Sequence, residues 1–167
     1  FGGFHHLGFN RDGSYSFFRS PPVEGLQEHL MLLYTGIQRT SSDVTGTYAH
    51  NLLDHEDTMK CIQAQPAIIN MRLRYGDLSD VGRMLGVAWL YKKLLSPNIS
   101  TPHIDAIYNR AINAGALGGK LLGGGGGGFM LFYVTPEKQQ NVRDALTGLI
   151  EVPFKFESEG SKVVYHE

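Results

Sequence analysis

Cysteine is almost missing from this chain. Cys61 is the single one, so no disulfide can form within the chain, which fits a reducing compartment. No apolar run approaches the roughly 20 residues that span a bilayer, and no stretch reads as a signal peptide. An excess of either charge is lacking too. Fifteen Lys and Arg stand against 16 Asp and Glu, a net charge of -1, which gives no reason to expect nucleic acid or an anionic membrane as partner. Metal-ligand spacing is also lacking. His5 and His6 are neighbours and face opposite sides of a strand, and His55-Glu56-Asp57 has no i, i+4 pairing. An initiator Met is absent at Phe1, inside a strand-like segment, so the chain is expected to be a piece of something longer. Its 167 residues, 42% hydrophobic and 19% charged, suffice for one domain with its own core.

What the chain does have is glycine, concentrated in one place. Nine of the 21 glycines fall between Gly115 and Gly128, and six are consecutive: Gly123, Gly124, Gly125, Gly126, Gly127 and Gly128. A glycine-rich tether behaves as random coil, but a tether is bounded by polar residues. Here Lys120-Leu121-Leu122 leads in, and Phe129 to Val134 leads out as a compact apolar run of strand type. The flanks favour an ordered loop. Such a loop offers a row of backbone N–H groups that suits an anion, or room for close packing. It is not a Walker loop, because Phe129 and Met130 follow the run where Lys and a hydroxyl would be needed. Nor is it a dinucleotide fingerprint, whose glycines follow a strand and open a helix.

The rest of the chain reads as strands and helices in mixed order. Phe4–Phe9 and Tyr15–Phe18 flank Asn10-Arg-Asp-Gly13, a hairpin. Leu30–Tyr34 is a buried strand ending in Thr35-Gly36, and Arg39-Thr-Ser-Ser-Asp43 supplies helix-capping hydroxyls. A guanidinium beside a helix start is good anion chemistry, or simply a capped helix with a solvated Arg39. From Val44 to Leu95 the spacing is mostly helical, with Pro66 marking an early turn or kink and Asp77 an N-cap. Trp89, Met59, Met71 and Met84 read as core, and Lys92 and Lys93 as solvated. Thr101 caps a helix opened by Pro102, and Thr135 caps another that stops at Gly148. Phe154–Phe156 and Val163–Tyr165 read as two last strands joined in a hairpin. The expected architecture is α+β, a sandwich of an antiparallel or mixed sheet with helices on one face.

Gly119-Lys-Leu-Leu-Gly-Gly-Gly-Gly-Gly-Gly-Phe129 resembles the third motif of the GHMP small-molecule kinases, in particular their sugar-phosphate branch, the heptose 7-phosphate kinases. That branch typically has Ala where this chain has Gly124. The resemblance extends from Phe1-Gly-Gly-Phe4 through Tyr34-Thr-Gly36 to Ser161–Tyr165. It implies a ferredoxin-like C-terminal kinase domain over residues 23–167, with residues 1–22 a hairpin belonging to an N-terminal domain. It implies a kinase using ATP and Mg²⁺ in the cytoplasm to phosphorylate the anomeric hydroxyl of D-glycero-D-manno-heptose 7-phosphate, on the way to nucleotide-heptose and surface glycans. The main phosphate loop, Pro-x-x-x-Gly-Leu-Gly-Ser-Ser, and a catalytic Asp expected upstream of Phe1 are not in this sequence. What it carries over is Gly123–Gly128 as support for the phosphate loop, and Thr35, Gly36, Arg39, Ser41 and Lys120 facing the substrate. Two alternatives stand beside it: another branch of the superfamily (fucose, galactose or mevalonate kinase), or a non-catalytic ferredoxin-like module that binds an anion or a partner with its glycine loop.

Overall fold

The structure is a computed structural model and describes residues 1–39, 44–46 and 52–165, the side chains of 52 and 53 excepted. A two-stranded antiparallel hairpin comes first, β1 (Phe4–Phe9) with β2 (Tyr15–Ser20). Gly13 takes φ +82° in the turn, a region L side chains avoid, and the Asp12 carboxylate accepts from the Ser14 amide at 2.9 Å.

The main sheet has four strands in the order β4-β5-β3-β6, all antiparallel: β3 (Leu30–Tyr34), β4 (Gly118–Leu121), β5 (Phe129–Tyr133) and β6 (Ile150–Glu151). Four helices pack with it: α1 (Glu56–Tyr75), α2 (Leu78–Lys93), α3 (Pro102–Asn113) and α4 (Pro136–Ala145). The expected α+β sandwich is what forms. β3 is apolar at every position because alternate residues enter different clusters. Met31 and Leu33 join the main core with Trp89, Ile104, Ile107, Met130 and Phe132, while Leu30 packs with Leu26, Val81 and Tyr133.

The helix starts follow their caps. The Asp77 carboxylate accepts from the Ser79 amide at 2.9 Å, and the Thr101 hydroxyl from the Ile104 amide at 3.3 Å, with Pro102 in the first turn. Thr135 also stands at a helix start, but without a side-chain capping bond. Two helix expectations need correction. Pro66 lies in the middle of α1 rather than in an early turn, and the helix runs on through it. Met71 is exposed rather than core.

The expected C-terminal hairpin is absent. Of residues 147–165, only Ile150–Glu151 pairs with a strand, β3, followed by one further bond from the Val152 amide to the Leu32 carbonyl. Beyond Val152 the chain leaves the sheet, and the Phe156 amide donates to Gln27 Oε1 at 2.8 Å instead of to a strand. Residues 152–165 contain no strand and run instead beside the first hairpin. Gly3 N–H donates to the Glu157 carbonyl at 2.6 Å, and the Phe4 and Phe156 rings meet edge to face at 5.0 Å.

A close backbone contact joins α2 to the edge strand β4. An ideal Cβ on Gly118 would lie 1.9 Å from the Gly82 carbonyl oxygen and 3.0 Å from the Gly86 nitrogen. Backbone meets backbone there, and this places the C-terminal end of α2 over the point where the glycine run leaves the sheet.

Candidate functional site

The six-glycine run is the loop of the β4–β5 hairpin. The Leu122 amide donates to the Phe129 carbonyl at 2.8 Å and closes its base. Gly123, Gly125, Gly126 and Gly128 have φ of +75°, +128°, +76° and +98°, so four of the six positions use a conformation only glycine adopts without strain. The loop is tied down on two sides. Gly126 N–H donates to the Ile99 carbonyl at 2.9 Å, and Gly128 N–H to the Ile37 carbonyl at 2.8 Å. A Cβ on Gly125 would meet Ile99 Cα at 3.0 Å, and one on Gly127 the Ile37 carbonyl oxygen at 2.7 Å. This is an ordered loop seated on segment 96–102 and on the chain after β3. Of its six amides, those of Gly123, Gly124, Gly125 and Gly127 have no hydrogen-bond partner among the described residues.

Thr35 is buried beneath this loop. Its hydroxyl donates to the Gly128 carbonyl at 2.9 Å, its amide donates to the same oxygen at 2.9 Å, and its own carbonyl accepts from His103 Nε2 at 3.2 Å. The sequence placed Thr35 towards substrate; the structure makes it a latch between β3, the glycine loop and α3. Thr35→Val should therefore cost about 1 kcal/mol of stability, one neutral hydrogen bond, read from urea unfolding. An unchanged midpoint would contradict the latch.

Gly36 is exposed at φ +78°, with nothing within 4 Å of where a Cβ would stand. Arg39 is exposed, and its Cδ lies 2.9 Å from where Gly126 would carry a Cβ. With Tyr34, Ile37, Gly128 and Phe129 it lines an open cleft of about 720 Å³. Thr35, Gly36, Arg39 and the far end of the glycine run are thus brought together. Ser41 lies outside the described residues.

Lys120 stands at the near end, on β4. The structure adds a partner that the sequence reading had set aside as solvated: Lys92, near the end of α2, donates from Nζ to the Gly123 carbonyl. Burial pushes both amines down; for Lys92 burial is the larger cause, Lys120 the smaller, and together they bring it to about 8. Neither ammonium has an acidic partner within salt-bridge distance among the described residues. Nothing local in the sequence signalled Lys92; only the seating of α2 on Gly118 carries it there. Lys93, its neighbour, pairs instead with Asp105 at 3.1 Å and lies over the Trp89 ring.

The sign of the pH effect follows. A lysine whose folded value is depressed penalises the fold while it is charged, so stability rises as pH climbs from about 8 towards the ordinary lysine value of 10.5. Lys92→Met should flatten that rise in urea unfolding compared between pH 7.5 and 9.5. An identical slope in both proteins would contradict the burial.

Residues 64–150, more than half of the chain, match the family model of the GHMP kinases C terminal domain. The chain belongs to this family. Over 142 residues it is 30% identical to D-glycero-alpha-D-manno-heptose 7-phosphate kinase of Campylobacter jejuni, covering 82% of this chain and 42% of that protein. The solved structure of a putative sugar kinase from Campylobacter jejuni superposes with a TM-score of 0.68 at 28% identity, over 96% of this chain and 47% of the other. A D-glycero-D-manno-heptose 1-phosphate kinase from Bacteriodes thetaiotaomicron gives a TM-score of 0.66 at 23% identity, over 99% of this chain and 47% of that one, and shows the fold. The chain therefore spans about two-fifths to one-half of the length of these GHMP kinases.

Proposed function

We propose that this chain is the C-terminal part of an ATP-dependent sugar-phosphate kinase whose acceptor is D-glycero-D-manno-heptose 7-phosphate, phosphorylated at the anomeric hydroxyl in the cytoplasm. The observation that carries the reading is the ordered glycine loop, latched by Thr35 and flanked by Arg39 at one end and Lys92 with Lys120 at the other. Four unpartnered amides and three cations suit phosphoryl oxygens, so ATP fits this chemistry and supplies the transferred group. No three His, Cys, Asp or Glu side chains converge among the described residues, and we assign the Mg²⁺ ligands, the main phosphate loop and the catalytic Asp to an upstream half.

The surface supports such a half. Phe9, Tyr15 and Phe18 are exposed on the first hairpin, Phe9 at 80%, and a cleft of about 1050 Å³ separates that hairpin from α1, lined by Phe4, Leu7, Pro66 and Leu73. Aromatic exposure on this scale marks a surface that another unit covers, and we take residues 1–22 as the edge of the N-terminal domain. This favours the kinase over a free-standing binding module. The chain by itself should self-associate in concentration-dependent sedimentation, and Phe9→Lys with Phe18→Lys should reduce that association; a strictly monomeric wild-type chain would favour the module. The acceptor is tested by ADP release from the chain joined to an upstream half, with heptose 7-phosphate, fucose, galactose and mevalonate offered in parallel. Preference for heptose 7-phosphate is expected, and preference for another acceptor would move the protein to that branch.

A further inference from the structure

We propose that Lys92 and Lys120 form a two-lysine clamp for a phosphoryl group at the Gly123 end of the glycine loop. Three placements converge on it. α2 is seated on β4 through Gly82 and Gly118, which brings the last turn of the helix over the strand's exit. Lys92 Nζ donates to the Gly123 carbonyl there. Lys120 lies on β4 three residues before Gly123, half-buried, and its ammonium has no hydrogen-bond or ion-pair partner among the described residues.

Two half-buried cations within electrostatic reach of each other are unfavourable unless an anion joins them. The alternatives nearby are used up or absent. Lys93, the next residue on α2, turns to Asp105, and that carboxylate is already shared with the Ser100 hydroxyl. No other carboxylate is within salt-bridge distance of Lys92 or Lys120 among the described residues. The Gly123 amide, unpartnered among the described residues, belongs to the residue whose carbonyl Lys92 holds and is a further neutral donor at this end of the loop. A dianionic phosphate monoester meets this set better than a carboxylate, because it offers three oxygens to two ammonium groups and backbone N–H. On binding, Lys92 exchanges the Gly123 carbonyl for the phosphoryl oxygens, a stronger, charge-assisted bond.

The clamp deepens the kinase reading without depending on it, since inorganic phosphate tests it directly. The 167-residue chain is titrated with phosphate against chloride at matched ionic strength, following the amide resonances of residues 120–127 and the thermal midpoint. Saturable shifts at Gly123 and Gly124 are expected, with affinity falling about tenfold in Lys92→Met and again in Lys120→Met, as loss of a charge-assisted bond implies. Lys120→Arg should retain binding. Unfolding in chloride checks that the Met variants fold, as the aliphatic stems are kept. No saturable phosphate effect, or equal affinity in the double Met variant, would overturn the clamp. Heptose 7-phosphate and ADP are then titrated separately, and the one weakened by the Met substitutions is the source of the phosphate. If inorganic phosphate binds through both lysines while neither of those ligands does, the clamp stands and its assignment to heptose 7-phosphate or nucleotide fails; the kinase reading is judged separately, by turnover of the chain joined to an upstream half.

Discussion

Gly118→Ala is expected to destabilise the chain by about 3 kcal/mol or more, the upper end of overpacking costs. The reason is geometric. The added methyl would sit 1.9 Å from the Gly82 carbonyl oxygen and 2.9 Å from its carbon, both helix backbone. No rotamer can relieve that, so α2 must lift from β4 and disturb Trp89, which is fully buried less than one turn along from Gly86. Against a domain stability of about 5–15 kcal/mol, the thermal midpoint should fall by roughly 6–12 °C. Gly86→Ala is the control. Its Cβ would meet only the Tyr108 hydroxyl, at 3.1 Å, with Gly118 Cα at 3.6 Å, and a mid-helix Gly to Ala change gains about 1 kcal/mol in propensity. It should be close to neutral. If Gly118→Ala cost no more than Gly86→Ala, the helix–strand contact that carries Lys92 to the loop would be wrong.

The second large effect belongs to the loop. Gly125→Ala should cost about 2–4 kcal/mol: φ of +128° is strained for any L side chain, by about 1–3 kcal/mol, and the new methyl presses on Ile99 backbone at 3.0 and 3.1 Å. Gly126→Ala should approach it, since its methyl would meet Arg39 and Val44 side chains, which can give way, at a φ of +76°. Gly123→Ala has open space around it and should cost only the backbone strain, about 1–2 kcal/mol. This graded series, read by urea unfolding, separates an ordered loop from a tether. In a tether all three would be neutral or slightly stabilising, because Ala only reduces the freedom of the unfolded chain.

These two sites also show what a sequence exposes and what it hides. β3 and β5 were legible as apolar runs, and the N-caps of α2 and α3 as Asp77 and Thr101-Pro102, because those signals are local. β4 was not, since Gly118-Gly119 looks like part of a loop; its glycines are there for the close approach of α2, a tertiary cause. The last hairpin was misread because Phe154–Phe156 and Val163–Tyr165 have strand composition, whereas the Phe156 amide goes to Gln27 Oε1 and the Glu157 carbonyl to the Gly3 amide, contacts set by tertiary packing. At the candidate site, the order of the glycine loop followed from its flanks. Thr35 as a latch and Lys92 as a loop contact did not, because both depend on long-range packing, across 93 and 31 residues respectively.

The central claim is that this chain holds one part of a kinase site and needs an upstream part for turnover. ADP release with ATP, Mg²⁺ and heptose 7-phosphate, measured for the chain alone and for the chain joined to an upstream half bearing the phosphate loop and Asp, tests it most directly. The account predicts no turnover above background alone and turnover when joined. Turnover by the chain alone would contradict it.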